Sequence, residues 1–249
     1  MAPRTNQFLV IGNMKMNVVD ESYLNEYTNL LFTDDKYNVI LLPPSPFIIT
    51  LHNILGSNKI QHLGAQNIHS EIKGSFTGAT SVEMLKSYIS YILVGHSERR
   101  MLFAEKNSDI QKQLKLTLDN KLIPILAVGE SSEDKANNQF QTVIKDQLSV
   151  LSDINTSNLI YIAYEPVWAI GTGDTASSQY IEDAADIILK EINNINPRLS
   201  ASIIYGGSVT ENNIAEICNI SNINGALVGG ASADITQFTN ILQTIKEAY

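Results

Sequence analysis

Thiol chemistry is almost absent from this chain. Its one cysteine, Cys218, allows no internal disulfide and no cysteine-rich metal site, and it reads as a small residue on a helix face. Positive charge is also short, with 17 Lys and Arg against 26 Asp and Glu and a formal charge of −9. That balance excludes the clustered basic surface that nucleic acid or an anionic membrane requires. An anionic substrate would have to be met by locally placed cations or by backbone amides. No apolar run reaches the roughly 18 residues of a transmembrane helix, and Phe8 to Ile11 is too short for a signal-peptide core. The chain ends Glu247-Ala248-Tyr249, without a peroxisomal Ser-Lys-Leu. The expectation is a soluble, cytoplasmic protein with neither nucleic-acid nor membrane partners. Several catalytic signatures are missing as well: G-x-S-x-G, a reactive-cysteine context, H-E-x-x-H, repeated Asp/His ligand spacing, a Walker A loop, and a G-x-G-x-x-G after the first strand.

What is present is alternation. The 249 residues, 44% of them hydrophobic, can bury a large core as one α/β barrel or as two smaller domains. No linker, low-complexity tract or charge block divides the chain, so residues 1–249 are expected to form one domain. Short apolar runs predict strands at Gln7 to Ile11, Asn38 to Leu42, Ile60 to Ala65, Tyr91 to Val94, Leu122 to Val128, Leu159 to Tyr164, Ala201 to Tyr205 and Gly225 to Val228. Amphipathic periodicity predicts helices at Glu21 to Leu31, Val82 to Ser87, Ser108 to Asn120, Glu133 to Leu151, Ser178 to Asn194, Asn212 to Cys218 and Ile235 to Tyr249. Asp20, Thr210 and Ser178 stand as helix-opening residues. Eight β/α units in this length match a TIM (β/α)8 barrel. A doubly wound open sheet is the alternative, disfavoured by the missing dinucleotide and Walker motifs.

Active sites of such barrels lie on loops after the strands' C-terminal ends, and those loops hold the unusual residues. Asn13 and Lys15 follow the first strand, Gly95-His96-Ser97-Glu98-Arg99-Arg100 the fourth, and Glu165 the sixth. Pro166 forbids a central strand from continuing past Glu165. Pro166-Val167-Trp168 is stiff, whereas Gly171 and Gly173 can absorb large φ/ψ changes, so the loop between could close as a body over the carboxylate. A surface loop beside a solvated Glu is the plainer alternative. Gly206-Gly207-Ser208 and Gly229-Gly230 follow strands seven and eight, where barrels commonly bind phosphate through backbone amides. Together these residues make an acid–base set: Glu165 to abstract a proton, His96 to shuttle or donate one, Lys15 to hold substrate and offset negative charge. His52, in a helical segment, His62, within a strand, and His69, in a loop, read as structural. His96 precedes a helix start, whose dipole disfavours imidazolium.

Gly12-Asn13-x-Lys15-Met16-Asn17, Val94 to Arg100, Ala163 to Gly173, Tyr205 to Val209 and Gly225 to Ser232 resemble the signature segments of the triosephosphate isomerases, with the likeness spread from residue 9 to 233. The resemblance implies interconversion of dihydroxyacetone phosphate and D-glyceraldehyde 3-phosphate through an enediol or enediolate, with no cofactor and no metal. It implies Glu165 as the base, His96 as a neutral electrophile, Lys15 as the substrate-binding cation, and Asn13 as a hydrogen-bond partner of substrate that also orients Lys15. Ser97 would hold Glu165 in its resting position, and Glu98 would pair with Lys15. Amides of Gly171, Ser208, Gly229 and Gly230 would bind the phosphate. Trp168 belongs to the lid, and Tyr205 and Ser208 would bond the closed lid near Ala176 and Gly173. A homodimer is also implied, with the loop Gln66 to Ala79 inserting Thr77 near the partner's Asn13 and Lys15.

Some positions depart from the family pattern. Met14 replaces an aromatic, Ala127 a cysteine, Ala104 a glycine, and Asp174 a more common lysine or apolar residue. Glu133 to Asn138 lacks the usual Arg-Glu-Ala-Gly string, and Ala79 replaces a glutamate that pairs across the dimer with an arginine matching Arg99. Two other functions fit the barrel with phosphate loops: a Schiff-base aldolase and a catalytically silent phosphate-binding protein.

Overall fold

Strand residues in this chain are apolar at consecutive positions, and consecutive burial is what a parallel sheet covered on both faces demands. In β1 (Phe8–Asn13) every residue is buried, Leu9 and Ile11 facing a core inside the sheet, Phe8 and Val10 a second core beneath the helices. The structure, a computed structural model, describes residues 7–17, 21–30, 32–170 and 175–249.

The remaining strands are β2 (Tyr37–Leu42), β3 (Gly64–Ala65), β4 (Tyr91–Val94), β5 (Ile123–Val128), β6 (Leu159–Tyr164), β7 (Ser200–Tyr205) and β8 (Ile223–Val228). They run in parallel in the order β2-β1-β8-β7-β6-β5-β4-β3, and a bridge between Leu41 and Leu63 joins the two ends. The sheet is therefore a TIM barrel. The inner core is small, led by Ile40, Leu42, Leu93, Ile125 and Ile204. The helices around it are α1 (Glu21–Glu26), α2 (Ile48–Leu55), α3 (Val82–Leu85), α4 (Ser97–Leu102), α5 (Asn107–Asp119), α6 (Ser132–Ala136), α7 (Phe140–Leu148), α8 (Ser178–Ile195), α9 (Ile214–Cys218) and α10 (Ile235–Ala248).

Four expectations need correction. The third strand shrinks to two residues, because Ser57–His62 forms 3-10 turns instead; His62 lies at the end of those turns, and its Nδ1 sits 2.8 Å from the Val39 carbonyl that a strand amide would otherwise have taken. The segment Glu133 to Leu151 is two helices and a 3-10 turn rather than one helix. Asn138 between them has φ 56°, a left-handed conformation that asparagine tolerates and that stops a helix. The cap of α8 is Ser177, whose hydroxyl accepts from the Tyr180 amide, not Ser178. Thr210 heads the turn before α9, whose cap position is Asn213. Asp20 and Leu31 lie outside the described residues. Among those described, no helix is long and apolar enough to cross a membrane.

Candidate active site

The C-terminal ends of β1, β4 and β6 deliver the charged residues to one mouth of the barrel. Asn13 closes β1 and turns the chain: its Oδ1 accepts the Lys15 amide at 3.0 Å. Lys15 then sits at φ 51°, a left-handed conformation that costs a non-glycine residue about 1 kcal/mol and so marks a position held in place by its surroundings. Gln66 supplies part of that hold, bonding the Lys15 and Leu42 carbonyls at 2.9 Å each. The Lys15 ammonium reaches Glu98 on α4 at 2.6 Å.

His96 is the cap residue of α4. Its Nδ1 accepts the Glu98 amide at 3.2 Å. A backbone N–H can only donate, so Nδ1 carries no proton and the ring's proton is on Nε2. That Nε2 lies 3.1 Å from Glu165 Oε1, too poorly aligned for a hydrogen bond. The other carboxylate oxygen of Glu165 accepts the Ser97 amide at 3.0 Å. Glu165 is 1% exposed, yet its polar contacts are a ring N–H and a helix-start amide, both compatible with a carboxylate. Glycines make room for it: a Cβ at Gly129 would fall 1.7 Å from the Glu165 carbonyl oxygen, and one at Gly206 2.9 Å from its Cγ. A cavity of about 600 Å³ opens beside these groups, lined by Asn13, Lys15, Leu93, His96 and Glu98 and extending to Thr80, Ala79, Arg99 and Glu105.

The glycine loops stand beside this mouth. Gly229 is close enough to Lys15 that a Cβ there would lie 3.4 Å from the lysine Cε, and a Cβ at Gly230 would meet nothing. Ser208 uses its carbonyl to accept from Asn213 at 2.9 Å. Tyr205 is buried, which pushes its hydroxyl up to about 12, with the Ala176 backbone opposing. Asn13, Lys15, His96, Ser97, Glu98 and Glu165 are thus brought together, with Gly229 beside Lys15. Thr77 is exposed on the loop after β3, next to Gly78, Ala79 and Thr80, which line the cavity, though Thr77 itself does not. Gly171, Thr172, Gly173 and Asp174 lie outside the described residues.

One participant is not singled out by the sequence reading. Glu130, fully buried after β5, accepts from the Trp168 indole at 2.7 Å, the Tyr180 hydroxyl at 2.8 Å and the Tyr164 hydroxyl at 3.2 Å. Burial and this carboxylate push the Tyr164 phenol up, and Tyr180 rises to about 12. The Lys135 ammonium stacks 3.1 Å above the Trp168 ring. Trp168 is therefore held between an acid and a base. A Val-Gly-Glu at a strand's C-terminal end carries the same positional signal as Val-Gly-His at 94–96. Among the described residues no group of three or more His, Cys, Asp or Glu is placed to hold a metal ion.

This constellation can abstract a proton from carbon, polarise a carbonyl and offset the resulting charge. Comparison with known proteins agrees with that chemistry. The family model for triosephosphate isomerase matches residues 8–245. The triosephosphate isomerase of Alkaliphilus metalliredigens is 42% identical over 247 residues, covering 94% of this chain and 98% of that protein. That of Hydrogenovibrio crunogenus is 39% identical, covering 97% and 99%, and that of Vesicomyosocius okutanii 37%, covering 94% and 98%.

Proposed function

Because the chain belongs to the triosephosphate isomerase family, we propose that Glu165, His96, Lys15 and Asn13 carry its reaction at the C-terminal mouth of the barrel. The reaction interconverts dihydroxyacetone phosphate and D-glyceraldehyde 3-phosphate, an aldose–ketose isomerisation in glycolysis and gluconeogenesis. In this reading Glu165 leaves the Ser97 amide and takes a proton from C1 of the ketone. The C–H electron pair becomes the C1–C2 double bond, and the carbonyl oxygen gathers negative charge against His96 Nε2–H and the Lys15 ammonium. The hydroxyl proton on O1 passes to O2 by way of His96, and return of the carbon-derived proton from Glu165 to C2 then gives the aldehyde at C1. Asn13 bonds substrate oxygens and steadies Lys15, while Glu98 holds Lys15 until substrate arrives.

The observation that carries this reading is the facing of Glu165 and His96 Nε2 across 3.1 Å beside the cavity. A base and a neutral N–H donor so placed can reach adjacent carbons of one small substrate. Amides of Gly171, Ser208, Gly229 and Gly230 would bind the phosphate without adding charge to an acidic protein, with Tyr205 and Trp168 supporting the lid. The tests are a coupled assay of the purified protein and, separately, borohydride trapping in the presence of substrate. Isomerisation without covalent trapping supports it; an imine to lysine would point to an aldolase instead, and no turnover to a silent binding protein.

We infer a homodimer as well, acting in the cytoplasm as one barrel domain over residues 1–249. Met16, Phe76, Met101, Leu102 and Phe103 are exposed around the cavity rim and the Thr77 loop, which is apolar area suited to a second copy. The loop is pre-shaped, its His69 ring 4.1 Å from Phe76 and its Glu71 paired with Lys112 at 2.8 Å.

A further inference from the structure

The turn after β8, Gly230–Ala233, is tied to the far end of the sequence. Tyr27, in the 3-10 turn that continues α1, is fully buried and donates its hydroxyl to the Ser232 carbonyl at 2.7 Å. Tyr23, one turn earlier, donates to the Ala233 carbonyl and accepts the Ile235 amide at 3.1 Å. Ile235 opens α10, so its amide is one of the helix-start donors that find no partner within the helix. The two rings pack edge to face, 5.6 Å between centroids. Within the loop the Ser232 amide bonds the Gly229 carbonyl at 2.8 Å, and Asp234 caps α10 through the Thr236 and Gln237 amides.

We propose that Tyr23 and Tyr27 are positioning residues for phosphate, fixing the Gly229–Gly230 amides where the substrate's phosphoryl oxygens must meet them. The proposal rests on the reading that this loop binds phosphate. Its physical basis is that an amide cradle works only if its N–H groups converge before the anion arrives. A short 3-10 turn has few internal bonds to enforce that. Here the carbonyls of Ser232 and Ala233 are pinned by phenols, which fixes the peptide planes just after the glycines. Burial keeps the Tyr27 pin dry: it is the main cause pushing that phenol upward, so the hydroxyl stays a donor throughout the working pH range. Neither tyrosine lines the cavity that Asn13, Lys15 and His96 line, and neither contacts Glu165. Their removal should therefore touch phosphate recognition and leave the proton transfer intact.

The test compares substrates with and without phosphate. Tyr27→Phe keeps the ring and loses the pin. It should lower kcat/KM for D-glyceraldehyde 3-phosphate and weaken inhibition by inorganic phosphate, each by roughly two- to tenfold, the range for one buried hydrogen bond. The kcat/KM for unphosphorylated D-glyceraldehyde should not change. Tyr23→Phe should act in the same direction, and being half-buried it carries the test if Tyr27→Phe fails to fold. Equal losses on both substrates would mean a merely structural role and overturn the proposal. Gly230→Val separates the two ideas, since its side chain would project into the open space beside the loop. If Gly230→Val weakens phosphate inhibition while neither tyrosine variant does, the positioning role is wrong and the phosphate loop stands. If Gly230→Val also leaves phosphate inhibition unchanged, the loop does not bind phosphate and both fall.

Discussion

Glu165 rests with one carboxylate oxygen 3.1 Å from His96 Nε2 and the other 3.0 Å from the Ser97 amide. The base is parked on the groups next to which it will work. Glu165→Gln preserves shape but cannot take a proton, so kcat should fall by roughly a hundred- to ten-thousand-fold while a substrate analogue still binds. Calorimetry of the analogue beside the coupled assay would check both halves. A folded variant with near-normal kcat would remove Glu165 from the mechanism.

Glu130 accepts from three donors around it: the Tyr164 and Tyr180 hydroxyls and the Trp168 indole. Glu130→Ala removes the carboxylate that these three buried or half-buried donors share and loosens the hold on the Trp168 indole. Stability should drop by about 2–3 kcal/mol in denaturant titration. Trp168 is the chain's one tryptophan, so its emission should shift without any labelling. Unchanged emission in a folded variant would show that Glu130 does not hold the Trp168 indole.

Much of this was legible in the chain, and the misses share a cause. Strand existence followed from apolar runs that a doubly covered parallel sheet imposes, and the candidate site residues were legible because they stand where those runs end. The third strand was misjudged because Ile60 to Ala65 is apolar enough for a strand, while a histidine side chain takes the Val39 carbonyl and leaves the backbone free to turn. The helix break at Asn138 depends on one left-handed residue, which periodicity does not register. Glu130 escaped because an isolated acid in a loop reads as solvated; its burial is set by Tyr164 of β6, Trp168 of the 3-10 turn Val167–Ala169 and Tyr180 of α8. Tertiary contacts of that kind have no local signature.

Cys218 should be inert in the folded protein. Its thiol is buried on α9, and burial pushes it up to about 12, so at neutral pH the nucleophilic thiolate is suppressed below the level of a free cysteine. A thiol reagent should label the native protein orders of magnitude more slowly than the denatured chain, which should take up one equivalent. Equal labelling rates would contradict the burial.

Ala104 holds φ 53°, a conformation glycine adopts at little cost. Ala104→Gly removes the Cβ strain of about 1–2 kcal/mol but adds about 0.4–1 kcal/mol of unfolded-chain entropy. The balance favours glycine by about 0–1.6 kcal/mol. A raised denaturation midpoint at unchanged slope is the expected result, and a lowered midpoint would mean that the Ala104 methyl packs usefully.

The dimer prediction turns on Arg99. Its guanidinium bonds Glu105 within the same chain, at 3.0 Å through Nε and 2.7 Å through Nη2, and stacks 4.2 Å from the Phe103 ring. Ala79 lines the same cavity and brings no carboxylate to it. An interface that inserts the Thr77 loop into a partner's cavity would therefore rest on apolar rim residues rather than on an ion pair. Dilution from micromolar to nanomolar should dissociate the protein and lower its specific activity in parallel, because Thr77 would leave the neighbourhood of Asn13 and Lys15. Ala79→Glu should shift that dissociation to lower concentration by roughly fivefold, the worth of a partly buried pair to an arginine already oriented by Glu105. Sedimentation and assay over the same dilution series read both effects. A monomer with full activity at nanomolar concentration would show that the site is complete within one chain.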